Sequence, residues 1–139
     1  MSRLFRWPVW IAAALLIAAA LACSVQYSTA HFENAALFRD ANGETRTRSF
    51  KPDETFYCIT NLKDVGAKPL PVKMEMVQIV THEDGTREES VVSSEAYDSH
   101  SDRLIFTLTP PAEGWARGDY QVRLYLDGEK KQALDFKIR

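Results

Sequence analysis

Past Cys23 the sequence has no window of sustained helical spacing, which argues against an all-helical or alternating α/β domain. It has no phosphate-cradling glycine loop and no zinc motif, so two common routes to nucleotide and metal chemistry are missing. The three histidines, His31, His82 and His100, lie far apart and share no metal-ligand spacing. No acid, base and nucleophile set emerges, and an enzyme is not expected. Ser99-His100-Ser101-Asp102 places the right side chains in a row, but a triad is gathered from different parts of a fold, and one polar loop does not supply its geometry. Internal repeats and low-complexity segments are also lacking. With two cysteines, Cys23 and Cys58, the chain has one disulfide at most available to it.

What the sequence does have is one long uncharged run, Trp7 to Tyr27, behind Arg3 and Arg6. A basic flank, an apolar segment over Val9 to Leu21 and a small-residue exit read as a secretory signal, which is not part of the fold. Ala19-Ala20-Leu21-Ala22-Cys23 resembles the lipobox of bacterial lipoproteins, although Leu21 sits one place later than the strongest lipoboxes put their leucine. That resemblance implies cleavage before Cys23, acylation of Cys23 and attachment to a bacterial membrane through the lipid. Ser24, where members kept at the inner membrane often carry Asp, implies the outer membrane of the cell envelope. Two other readings stay open. The run is close to the ~20 apolar residues of an uncleaved anchor helix, and ordinary cleavage would leave a soluble protein.

Setting aside residues 1–22 leaves 117 of the 139 residues, one domain's worth. Fifteen Lys and Arg then face 19 Asp and Glu, a net charge of −4 with no concentrated basic face, so nucleic acid is not an expected partner. If Cys23 is acylated, Cys58 has no intramolecular partner; its place in Phe56-Tyr57-Cys58-Ile59 suits a buried core thiol.

Residues 23–31 read as a flexible tether and 32–139 as a single all-β domain. Strands are expected near Phe32 to Phe38, at a short edge over Glu44 to Phe50, and over Glu54 to Leu62. In the longest alternating segment Val72, Met74, Met76 and Val80 share one face, and Lys73, Glu75, Val77 and Ile79 the other. Asp84-Gly85 turns that segment into a return over Arg87 to Tyr97. Leu104, Phe106 and Leu108, then Tyr120, Val122, Leu124 and Leu126, then Leu134, Phe136 and Ile138 form the remaining inward rows. Seven or eight short strands with turn signals between them suit a sandwich or barrel.

The stretch Gly114-Trp115-Ala116-Arg117-Gly118-Asp119-Tyr120-Gln121-Val122, followed by Leu124-Tyr125-Leu126-Asp127-Gly128, resembles the last two strands of immunoglobulin-like and fibronectin-like domains. The resemblance implies an antiparallel immunoglobulin-like β-sandwich behind the N-terminal signal or anchor helix, with Tyr120 as a tyrosine corner. It carries no activity, because such sandwiches host many functions.

The expected function is therefore a non-enzymatic interaction or structural module, displayed by a cell-envelope lipoprotein and contacted by another envelope protein through end loops or an exposed strand edge, with no cofactor. Trp115, between glycines at one end of the domain, is either a plug over the core or an exposed anchor, and Tyr125 is a second candidate binding aromatic. The alternative is a periplasmic ligand or copper carrier. Met74 and Met76 fall on one strand face with His82 nearby, and these are soft ligands that suit Cu(I); both methionines equally suit core filling.

Overall fold

The computed structural model describes residues 29–139; the expected signal segment, Cys23 and most of the tether lie outside the described residues. Eight strands follow in order: β1 (His31–Phe38), β2 (Ser49–Phe50), β3 (Phe56–Lys63), β4 (Leu70–Thr81), β5 (Arg87–Ser99), β6 (Arg103–Leu108), β7 (Gly118–Leu126) and β8 (Glu129–Ile138). They form a three-stranded sheet, β1-β3-β6, and a five-stranded sheet, β2-β8-β7-β4-β5. Neighbouring strands run antiparallel, except that β2 lies parallel to the end of β8. Two sheets around one core, with the chain crossing between them except at the β4–β5 and β7–β8 hairpins, make this an immunoglobulin-like β-sandwich.

Alternation in the sequence becomes the core directly. On β7, Tyr120, Val122, Leu124 and Leu126 are buried; they meet Val72, Met74 and Met76 of β4 and, from the other sheet, Cys58, Leu104 and Phe106. Aromatic rings fill the end of the core farthest from Ala30. Phe50 stacks on Phe56 at 4.1 Å, and Phe136 meets Phe56 edge-on at 5.2 Å. Two turns follow from their residues. Asp127 and Gly128 both take positive φ, as the two-residue turn joining β7 to β8 requires. The Asp40 carboxylate accepts hydrogen bonds from the backbone N–H of Glu44 and Thr45 at 2.7–3.1 Å, and these bonds hold it below the usual carboxylate range.

The tyrosine corner forms as expected: the Tyr120 hydroxyl donates to the Ala116 carbonyl at 2.5 Å. Replacing Tyr120 with Phe keeps the ring against Phe136 and removes only that bond. Urea unfolding of Tyr120→Phe is expected to show a loss of about 1 kcal/mol with an unchanged m-value.

Four expectations need correction. The strand expected over Glu44 to Phe50 shrinks to Ser49–Phe50. Residues just before it bond back to β1, through Arg39 N–H to Thr45 O and Thr47 N–H to Leu37 O, and the chain then crosses to the other sheet. Val80, expected inward, is 41 % exposed, because β4 outruns β7, whose pairing with it stops at Ile79↔Asp119. Val77, expected outward, is nonetheless buried between Val91 of β5 and Gln121 of β7. Finally, the ordered domain starts before Phe32: His31 is in β1 and Ala30 already belongs to the core.

Candidate functional site

Each residue singled out from the sequence has a definite place. Trp115 is 7 % exposed and is a plug, not an exposed anchor. Its indole N–H donates to Glu54 O at 3.3 Å, its backbone N–H to Pro52 O at 2.7 Å, and its ring meets Phe56 edge-on. Gly114 is fixed by the same contact: its φ is +82°, and a Cβ there would lie 3.0 Å from the Pro52 carbonyl oxygen.

Tyr125 is half-buried on the outer face of the five-stranded sheet, with the Lys73 ammonium 4.3 Å from its ring centre. Lys73 also bonds Glu75 at 2.9 Å, and that bond raises its pKa. Farther along this face Arg123 holds Glu89 at 2.9 Å and Gln121 at 2.7 Å, and Gln121 donates to Asp135. The charges here are internally matched, and Tyr125 is part of that matched surface.

Met74 and Met76 are 1 % and 0 % exposed and fill the core. His82 lies in the β4–β5 turn, roughly 20 Å along the strand direction from Met76, and bonds Glu88 at 3.2 Å. The structure does not bring the three together. Among the described residues no group of three or more His, Cys, Asp or Glu is placed to hold a metal ion. Cys58 is buried, and loss of solvent pushes its thiol up to about 12. The Ser99-His100-Ser101-Asp102 stretch is a local turn in which Ser101 N–H donates to Ser99 Oγ.

What sequence reading did not locate is which strand is exposed at an edge; it is β5. This strand pairs with β4 on one side, and among the described residues no strand borders its other edge. Twelve of its 13 residues are exposed or half-exposed, including Val91 at 56 % and Val92 at 41 %. Only at one end does the other sheet reach it, where the Tyr97 ring lies 5.7 Å from that of Phe106. Val92 is an extra residue: Ser93 faces Met76 and Val91 faces Val77, so Val92 has no partner on β4. The bulge aims Val92 and Ser93 into a cleft of about 660 Å³, whose other walls include Pro111, Glu113, Trp115 and Tyr120. Two adjacent valines in an otherwise polar strand, Val91-Val92, were the signal available in the sequence.

A second cleft, about 700 Å³, opens beside β8 and collects Arg48, Arg87, Lys137 and Arg139 with Asp119 and Asp135. Lys137 and Asp119 approach to 3.7 Å within it.

No family model matches the chain, and no curated protein matches it significantly. Solved structures do. A mutant β-glucosidase from Listeria innocua in complex with laminaribiose aligns with a TM-score of 0.50 at 12 % identity, over 83 % of this chain and 17 % of that one. An alkylpurine DNA glycosylase from Pseudomonas fluorescens bound to DNA aligns at 0.45 and 9 %, over 81 % of this chain and 31 % of that one. An immunoglobulin-like protein from Pseudomonas aeruginosa aligns at 0.47 and 14 %, over 78 % and 92 %. The chain thus spans less than a third of the two enzymes, and at 12 % identity the likeness to the β-glucosidase is one of fold alone.

Proposed function

We propose that this chain is a bacterial cell-envelope lipoprotein, acylated at Cys23, that displays one non-enzymatic immunoglobulin-like module to another envelope protein. The observation that carries the reading is the placement of the free edge relative to Ala30. The start of β1 and the end of β5 lie at one end of the sandwich, and the β4–β5 hairpin and Trp115 lie at the other. Residues 24–29 separate Cys23 from Ala30 and reach at most ~20 Å when extended. A lipid on Cys23 would therefore hold the domain close to the bilayer by its β1 end and point the hairpin and the cleft away from it. Several acyl chains anchor durably, whereas one binds only reversibly.

The test is the mass of the protein recovered from membranes of a bacterial host, beside Cys23→Ala. A chain starting at Cys23 with added acyl mass, lost from the membrane fraction in the variant, is the expected result. An intact chain starting at Met1, or a soluble unacylated one, overturns the lipoprotein reading.

A further inference from the structure

We propose that the free edge of β5 and the adjoining cleft take an extended, basic segment of a partner protein by strand addition. This rests on the reading of the domain as an interaction module and names the surface and the partner's chemistry. Strand addition needs a row of unpaired backbone groups, which a 13-residue strand bordered on one side provides. It also needs pockets for alternate side chains, and here the register identifies one face. Met74 and Met76 point into the core, so their partners Glu95 and Ser93 lie on the same face of β5, and alternation adds Ser90 and Glu88 beyond the bulge.

Over residues 88–95 that face is apolar in the middle and acidic at both ends. Val92 opens onto the cleft beside Pro111 and Trp115, with Glu113 on the cleft wall. Among the described residues Glu95 and Glu113 have no ion-pair partner, and Glu88 has only His82, whose side chain is 49 % exposed. Glu89, in contrast, is already neutralised by Arg123 and lies on the other face. Over its whole length β5 carries one Arg against three Glu and one Asp. Two copies of it side by side would bring like charges together, so a second copy of this chain is disfavoured. The occupant that matches is a strand whose cleft-side residues run basic, apolar, apolar, basic.

The probe is an acetylated, amidated heptapeptide with lysine at both ends, valine at the third and fifth positions and serine at the other three. Its controls are the same peptide with glutamate in place of lysine, and two versions N-methylated on alternate amides, one on the serines and one on the remaining residues. Hydrogen exchange of the full chain in non-ionic detergent is read by mass spectrometry. The lysine peptide is expected to slow exchange saturably over residues 87–99, and only one of the two N-methylated versions to retain the effect. The glutamate peptide should bind at least tenfold more weakly, and Glu95→Lys with Glu113→Lys should weaken the lysine peptide about tenfold.

Absence of saturable protection overturns the proposal. Equal binding of the glutamate peptide, or of both N-methylated versions, does the same. Slow exchange over 87–99 in the free chain, with sedimentation as a dimer, would assign the edge to a second copy and overturn it too. None of these outcomes alters the mass of the membrane-bound chain, so loss of this proposal is separable from loss of the lipoprotein reading.

Discussion

Trp115→Ala is expected to lower the unfolding free energy by about 3–5 kcal/mol, the range for deleting a large buried aromatic. The effect has identifiable parts. The indole closes the end of the core over Phe56, which itself touches Phe50 and Phe136, so its removal opens a void beside this aromatic cluster. The Glu54 carbonyl loses its side-chain donor at the same time. A single domain of this size has ~5–15 kcal/mol of stability in all, so the variant should unfold at a much lower urea midpoint. Because Phe56 and Trp115 share the same void, Phe56→Ala combined with Trp115→Ala should cost less than the sum of the two. An unchanged midpoint for Trp115→Ala would mean that the ring does not pack as described. Binding of the lysine heptapeptide is then best compared at urea-free conditions where the variant remains folded.

Cys58 supplies the second large effect. Its pKa rises from the ordinary 9.0 to about 12 because burial disfavours the thiolate, which is the reactive form. At neutral pH this alone reduces thiolate about a thousandfold, and with no exposed surface the sulfur also needs local opening to meet a reagent. In Cys23→Ala, where Cys58 is the one remaining thiol, iodoacetamide labelling of the folded chain should run at least a thousandfold slower than in urea. Rapid labelling under native conditions would place Cys58 outside the core. The sign of the alkaline effect follows as well. A proton held to about 12 when folded and to about 9.0 when unfolded stabilises the fold fully below 9.0, and that contribution is lost as pH rises between the two values. Cys58→Ala should flatten the fall of stability over that interval.

Much of the fold was legible because its signals are local. Leu104, Phe106 and Leu108, or Tyr120 through Leu126, alternate strictly, and strict alternation assigns both strand and face. Asp127-Gly128 names its own turn, and Tyr120 beside Asp119 marked the corner. The misread places depend on a neighbour distant in sequence. Whether Val80 is covered depends on where β7 begins, and whether Glu44 to Phe50 extends as a strand depends on β8 being free to receive it. For the candidate site the same limit is sharper. Side-chain chemistry draws attention to Met74, Met76, His82, Trp115 and Tyr125, whereas the exposed edge of β5 is a property of sheet order, hinted at in the sequence only by Val91-Val92.

The position of β8 has a consequence for how the molecule comes into being. β8, the last of the described strands, is an interior strand of the larger sheet, hydrogen-bonded to β7 on one side and to Ser49–Phe50 on the other. Until residues 129–138 are available, β7 is an open edge, Phe50 has no sheet to join, and the stack of Phe50, Phe56 and Phe136 lacks a member. Loop-closure entropy must be met before such distant pairings reward it, so folding waits for the final strand. Were the chain threaded amino end first through a channel, residues 30–128 could not complete the larger sheet until β8 had followed them.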